Sequence, residues 1–335
     1  MKAVAYTRHA LPIEDPQALI DIELPTPEPG PRDLLVQVRA VSVNPVDTKV
    51  RHRAAVEQPR VLGWDAAGVV RAVGAGVTLF KPGDEVYYAG SITRPGSNSE
   101  YHLVDERIVG RKPRSLTDAQ AAALPLTTIT AWELLFDRLG VPEGGGQGQS
   151  LLVIGAAGGV GSILVQLARQ LTGLTVIGTA SRPQTADWVR RMGAHHVIDH
   201  SQPLAQALKA QDLPAPELVA SLTHTDAHYA QIVELIRPQG KLGLIDDPAT
   251  LDAMPLKSKA VSLHWELMFT RPMFETPDMI AQHRLLERVA ELVDAGRIQT
   301  TLNEDYGPIN AANLRRAHAL VESQRSRGKV VLSGF

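Results

Sequence analysis

The stretch Ser150-Leu-Leu-Val-Ile-Gly155-Ala-Ala-Gly-Gly-Val-Gly161-Ser162, with Thr175-Val-Ile-Gly-Thr-Ala-Ser-Arg182 one helical run later, sets the architecture of this chain. Leu151 to Ile154 is a short apolar run, as expected of a strand buried on both faces of a parallel sheet. Val160, Ile163, Leu164, Leu167 and Leu171 then fall on one helical face. Between strand and helix, Ala156-Ala-Gly158-Gly159-Val160-Gly161 matches G-x-G-x-x-G with alanine at its first position. Glycines there let the backbone approach a pyrophosphate and let the helix pack on the strand. The helix N-terminus adds free N–H groups and partial positive charge. Strand, fingerprint, helix and second strand occur together, so Ala156, Gly158, Gly159, Val160 and Gly161 are expected to bind a dinucleotide.

The second strand, Thr175 to Thr179, ends where the adenosine ribose would lie. An NAD site usually places Asp or Glu there, about 20 residues past the last glycine. Ala180-Ser181-Arg182 stands there instead, with no carboxylate before Asp187. A hydroxyl and a guanidinium suit a 2′-phosphate, which a carboxylate would repel, so NADP(H) is the expected cofactor. Ser181 also suits the N-cap of a helix that Pro183 opens.

Composition narrows the class. The 335 residues are 44% hydrophobic and 21% charged, as in a globular protein of about two domains. The net charge of −2 offers no basic footprint for nucleic acid or an anionic membrane. Without cysteine there is no disulfide, thiolate nucleophile or Cys-ligated zinc. No signal-peptide pattern opens the sequence, and no apolar stretch nears the ~20 residues of a membrane span, so a cytoplasmic, soluble protein is expected.

Residues 1–125 have a β-rich pattern. Alternating or β-branched runs at Lys2–Tyr6, Leu34–Val43, Gly68–Val73, Asp84–Tyr88 and Glu100–Val104 are separated by Pro, Gly and Asp/Asn clusters. Thr117-Asp-Ala-Gln120 is a capping box, and Leu126 to Leu139 predicts a helix ended by Gly140. Residues 126–265 alternate strand and helix. Strands are expected at His196–Ile198, Leu218–Leu222, Lys241–Ile245 and Ala260–Leu263, and helices at Thr185–Met192, Leu204–Lys209 and Ala227–Ile236. That rhythm predicts a doubly wound parallel sheet, an α/β domain. Residues 266–335 predict a helix from Thr276-Pro-Asp to near Gly296, a second helix capped by Asn310, and a strand at Gly328–Ser333. This last part is expected to return to the first domain. His195-His196 and the i, i+4 pair His224 and His228 have no supporting metal motif.

Four stretches carry a family resemblance: Gly63-Trp-Asp-Ala-Ala-Gly68-Val-Val, Lys81-Pro-Gly-Asp84-Glu-Val, Ala123-Leu-Pro-Leu-Thr-Thr-Ile-Thr-Ala-Trp132, and the fingerprint. Over nearly its whole length the chain resembles the medium-chain dehydrogenase/reductase superfamily. Val43-Asn-Pro-Val-Asp-Thr48 is similar to its zinc-independent quinone oxidoreductase branch, particularly to zinc-type alcohol dehydrogenase-like proteins. The resemblance implies a Rossmann domain at 126–265 inserted in a GroES-like, mainly β catalytic domain at 1–125 plus 266–335. Zinc enzymes resembling this chain have a cysteine ligand where Asn44 stands and Gly-His-Glu at Gly63-Trp64-Asp65. Catalytic zinc needs about three protein ligands and an open position, so no metal is expected.

The same resemblance implies hydride transfer from NADPH to a quinone or to the β-carbon of an α,β-unsaturated carbonyl. Asn44 is the expected donor to the acceptor oxygen, with Asp47 and Lys49 on the same segment. Relatives often carry tyrosine where Lys49 stands. A buried lysine would polarise a carbonyl or donate a proton, whereas an exposed one would be a solvated charge. Thr127 and Thr130 match positions that bind nicotinamide ribose and carboxamide, although helical threonines also back-bond to their helix. Leu244 and Ile245, at a strand's carboxyl end, are expected at the nicotinamide. Lys329 resembles a phosphate-contacting lysine, and Tyr88, Trp265 and Phe269 are expected to shape an apolar pocket. The unpaired strand Ala260-Val-Ser-Leu-His264 suggests a homodimer. The alternatives are a zinc-type alcohol dehydrogenase and a dinucleotide-binding sensor with little turnover.

Overall fold

The computed structural model describes all 335 residues, Met1–Phe335. The chain divides into two compact units, Met1–Ile129 with Phe269–Phe335, and Thr130–Met268. In the second unit the alternating pattern forms a six-stranded sheet. Its order is His196–Ile198, Thr175–Thr179, Ser150–Ile154, Leu218–Ser221, Lys241–Leu244 and Ser262–Trp265. Every adjacent pair is parallel. Strand order therefore reverses between Ser150–Ile154 and Leu218–Ser221, the switch point beside which ligands of such sheets bind.

All five residues of Ser150–Ile154 are buried, as the unbroken apolar run requires. The helix Gly159–Leu171 buries Ile163, Leu164, Leu167 and Leu171. Three further helices, Pro183–Arg191, Leu204–Lys209 and Thr225–Leu235, connect the strands. Leu152, Ile154, Ile177, Val219, Ile232 and Leu244 share one apolar core. The edge strand begins at Ser262 rather than Ala260, because Ala260, at φ +50, terminates the 3₁₀ turn Met254–Lys259. The helix expected over Leu126–Leu139 is α-helical at Pro125–Trp132 and continues as the π-helical turn Glu133–Arg138.

The first unit is mainly β. Lys2–Tyr6 pairs with Ile20–Glu23 and Arg60–Val61 in a small antiparallel sheet. A seven-stranded sheet runs Leu302–Asp305, Lys329–Ser333, Asp33–Val43, Ala66–Val73, Glu85–Tyr88 and Val109–Arg111, with Tyr101–Asp105 also on Asp33–Val43. The sequence pattern missed Ile20–Glu23, Val109–Arg111 and Leu302–Asp305, which are short and only partly apolar. Thr117 caps its helix, its N–H donating to Gln120 Oε1 at 3.0 Å. Asn310 Oδ1 likewise accepts from Asn313 N at the start of Ala311–Glu322. The helix expected from Thr276 starts later, at Ala281, and ends at Asp294. Thr276 instead donates its hydroxyl to Asp278 in a preceding turn. No helix is long and apolar enough to cross a membrane.

One register matters for chemistry. The last strand lies antiparallel to Asp33–Val43, with Val330 opposite Val43. Lys329 is thereby brought against Val43 and Asn44, where the helix Pro45–Arg53 begins.

Candidate active site

In the second unit the strand Ser150–Ile154 delivers the chain to Gly155, whose φ of +81 makes the turn. The Gly158 N–H returns to Gly155 O at 3.1 Å, and Gly158 caps the helix that follows. The fingerprint glycines have different tasks. A Cβ on Gly161 would stand 2.4 Å from Gly155 O and 2.6 Å from Ala156 Cα, so this glycine permits helix–strand contact. A Cβ on Gly158 would have Gly155 O at 3.5 Å as its sole neighbour, which leaves its other side open. The first-turn N–H groups, including those of Gly159 and Val160, have no intrahelical acceptor. An open glycine beside these donors and the dipole's positive end fits an anionic pyrophosphate. Ala156 is fully buried, and its side chain packs toward Gly178 on the neighbouring strand.

At the end of Thr175–Thr179, the buried Thr179 hydroxyl lies 3.2 Å from Gly155 N and 3.1 Å from His200 Nδ1. Ser181 and Arg182 follow, both exposed. Arg182 is the N-cap of the helix Pro183–Arg191, and its N–H donates to Thr185 Oγ1 at 3.3 Å. Ser181 is therefore not the N-cap. Leu244 is fully buried in the apolar core, which leaves partly exposed Ile245 at the strand's carboxyl end. Thr127, in the first unit, donates its hydroxyl back to Leu124 O at 3.1 Å, while Thr130, in the second, is buried.

The first unit holds a buried charged cluster. Asn44, Asp47, Asp65 and Lys329 are each at most 3% exposed. The Lys329 ammonium donates to Asn44 Oδ1 at 2.6 Å and Val43 O at 3.0 Å, and pairs with Asp65 Oδ2 at 3.1 Å. Asp65 Oδ2 also accepts from Asn44 Nδ2 at 3.1 Å and Ser42 Oγ at 3.3 Å, while Oδ1 accepts from Leu126 N at 3.0 Å. Asp47 accepts from Asn44 N at 2.7 Å and Gly63 N at 3.0 Å. Burial pushes the Asp65 carboxyl up, against the pull of the Lys329 charge, and depresses the ammonium. Burial also pushes Asp47 up to about 7, with backbone donors and Lys329 opposing. Two carboxylates thus lie around one buried ammonium.

These contacts bear on the roles expected of Asn44 and Lys329. Both ends of the Asn44 amide are engaged within the cluster, so this geometry does not present it as a direct donor to a substrate oxygen. Lys329 has three acceptors for three N–H donors, in place of the phosphate contact suggested for it. Trp64 is fully buried, its Nε1 donating to Ser91 O at 3.0 Å and its ring edge-on to Phe269 at 6.1 Å. Lys49 is half-buried on the helix that Asn44 opens. Tyr88 and Phe269 are core residues, Tyr88 stacking on His102, whereas Trp265 is 51% exposed.

The zinc held by the zinc enzymes that this chain resembles does not fit this donor set. Its carboxylates already hold a fixed ammonium, and an amide and an indole stand at the positions matching cysteine and histidine ligands. Sequence reading quoted Asp65 but gave it no role. A carboxylate directly after the substituted histidine position was the available signal. His200 escaped because it follows a strand whose position in the sheet only the fold supplies.

Comparison with known proteins agrees with this architecture. Residues 30–114 match the family model described as the alcohol dehydrogenase GroES-like domain, and 192–332 that of the zinc-binding dehydrogenases. A zinc-type alcohol dehydrogenase-like protein of Staphylococcus aureus (strain MRSA252) is 43% identical over 314 residues, 92% of each chain. A crystal structure from Rhizobium etli CFN 42, described as a candidate zinc-dependent alcohol dehydrogenase, is 61% identical with TM-score 0.96, covering 100% of this chain and 98% of that one. A quinone oxidoreductase of Pseudomonas syringae pv. Tomato DC3000 is 25% identical with TM-score 0.83, covering 99% of each chain. The chain belongs to the medium-chain dehydrogenase/reductase superfamily, an oxidoreductase family, among its zinc-type alcohol dehydrogenase-like members.

Proposed function

We propose that this protein is an NADPH-dependent reductase that transfers hydride to a quinone or an α,β-unsaturated carbonyl without a bound metal. One observation carries this reading: the Lys329 ammonium, held by Asp65 and Asn44, occupies the buried charged cluster that matches the family's zinc-ligand positions. The similarity to a quinone oxidoreductase and the carboxylate-free Ala180-Ser181-Arg182 segment support it.

When bound, the dihydronicotinamide supplies the hydride. The open glycine Gly158 and the first-turn N–H groups hold the pyrophosphate, and Arg182 with Ser181 takes the 2′-phosphate. Ile245 and Thr130 are proposed to position the nicotinamide end. The acceptor gains hydride at carbon, or at a quinone oxygen, and negative charge on its oxygen. A proton then completes the two-electron reduction. Lys49 is the group proposed to meet that charge, while Asn44 and Asp47 fix the start of its helix.

The decisive experiment follows NADPH oxidation against a panel of quinones, enones, alkenals and simple ketones, with and without chelator. Turnover of quinones or enones is expected, with no loss to chelator and no gain from added zinc. Lys49→Met should lower the single-turnover rate on an enone by about a hundredfold, as loss of an oxyanion donor does. Chelator-sensitive ketone or alcohol turnover restored by zinc would sink the proposal. A homodimer through the edge strand Ser262–Trp265 is also proposed, since that strand ends the sheet and Trp265, its last residue, is 51% exposed. A monomeric mass by light scattering at micromolar concentration would overturn it.

A further inference from the structure

Three histidines gather at the carboxyl ends of the Rossmann strands. His200 follows the strand His196–Ile198, and its Nδ1 lies 3.1 Å from the hydroxyl of Thr179, the last residue of Thr175–Thr179. His228, on the helix Thr225–Leu235, sets its ring edge-on to His200 with centroids 6.0 Å apart. Its Nδ1 is buried with no hydrogen-bonding partner. His224, the N-cap of that helix, is held at φ +52, a left-handed conformation rare outside glycine. Its Nδ1 lies 2.8 Å from Thr223 Oγ1, and the Thr223 methyl is the nearest neighbour a Cβ on Gly155 would meet, at 2.8 Å. The histidines thus ring the end of the sheet where the Gly155 turn, Thr179 and the Ser181-Arg182 segment meet.

We infer that His200 and His224 join Arg182 in a binding site for a phosphomonoester, the 2′-phosphate of the dinucleotide, and that the site takes up a proton when that phosphate binds. The inference rests on the NADPH reading above and deepens it. Without ligand, His200 and His228 disfavour charge. Burial lowers the His200 pKa first, and the nearby His224 and Arg182 charges lower it further, while Asp199 opposes them. Burial likewise lowers His228, with His200 and His224 adding to it. Two of the acidic groups at hand are already engaged. Asp199 accepts from the Ser201 N–H and hydroxyl, both at 2.8 Å, and Asp246 accepts from Thr225 N at 2.9 Å and Thr225 Oγ1 at 2.5 Å. Asp226, in the first turn of the same helix, is exposed. A phosphate carrying nearly two negative charges at neutral pH reverses this balance and favours the imidazolium. NADH, lacking that phosphate, brings no such charge.

Titration calorimetry on the full chain tests this, with NADPH, NADH, adenosine 2′-monophosphate and adenosine 5′-monophosphate as probes. Each is measured from pH 6 to 8.5 in buffers of differing ionisation enthalpy. NADPH and the 2′-monophosphate should bind with net proton uptake. Their affinity should tighten as pH falls, approaching tenfold per pH unit where a whole proton is taken up. NADH and the 5′-monophosphate should show neither effect. His200→Gln and, separately, His224→Gln should weaken NADPH and flatten its pH dependence, with unchanged NADH affinity showing that the unit remains folded. If NADPH is preferred and Arg182→Ala removes the preference, yet wild-type binding takes up no proton and both histidine variants bind as wild type, the histidine site falls while the cofactor assignment stands. If wild-type protein binds NADPH no better than NADH, both fall together.

Discussion

Lys329 Nζ stands 3.1 Å from Asp65 Oδ2, and neither side chain is more than 3% exposed. A buried pair of this kind costs more to break than it contributes, because removing one partner strands the other charge out of water. Lys329→Met and Asp65→Asn should each destabilise the chain by about 3–5 kcal/mol, whereas the double variant should recover much of that loss. Thermal unfolding of the three variants tests the coupling. Additive losses would show that the two residues do not act as a unit.

The fingerprint glycines should separate by phenotype. Gly158→Val places its side chain where the structure is open, so the variant should fold and lose dinucleotide binding. Gly161→Val drives a side chain into the Gly155 and Ala156 backbone, so it should also lower the melting temperature. Wild-type NADPH affinity in Gly158→Val, measured by fluorescence titration, would exclude the cradle as the pyrophosphate site.

Arg182 is exposed at the N-cap of the helix Pro183–Arg191. Charge-assisted hydrogen bonds contribute about 1.5–3 kcal/mol, so Arg182→Ala should weaken NADPH by roughly ten- to a hundredfold. NADH affinity should barely change. Equal losses for both cofactors would mean that the residue serves the fold rather than the 2′-phosphate.

Glu266 and Glu133 lie buried together in the second unit, with Arg138 Nε donating to Glu266 Oε2 at 2.9 Å. Burial, then the neighbouring Glu133 carboxyl, pushes the Glu266 pKa up to about 9. A folded-state pKa raised above the unfolded one makes stability greatest below the ordinary carboxyl value of 4.5, and it declines as pH rises toward about 9. Glu266→Gln has no proton to lose there. The melting temperature of the wild type should fall relative to this variant between pH 5 and 9. Parallel profiles would contradict a raised Glu266.

Much of the second unit was legible because its signals are local. Ser150–Ile154 is an unbroken apolar run, Gly159–Leu171 has a clean helical face, and strand–helix alternation constrains a parallel sheet to few topologies. Boundaries slipped where one backbone angle intervened, as at Ala260, or where the helix after Pro125 widened into a π turn. The strands of the first unit were legible where alternating or β-branched runs extend over five or more residues. They were lost at Ile20–Glu23 and Leu302–Asp305, whose pairing depends on partners distant in the chain.

The sequence by itself determined the family, the dinucleotide fingerprint and the lack of the expected zinc ligands, because each rests on residue identity at fixed spacing. Tertiary structure alone decided what the site residues touch. The register of Lys329–Ser333 against Asp33–Val43 carries Lys329 to Asn44 and Asp65, which the sequence holds far apart. The parallel order of the sheet likewise gathers Thr179, His200 and Thr223 beside Gly155. Residue types and spacings are encoded along the chain, but the burial and charge neighbours that govern an amide, an ammonium or an imidazole exist only once distant strands have paired.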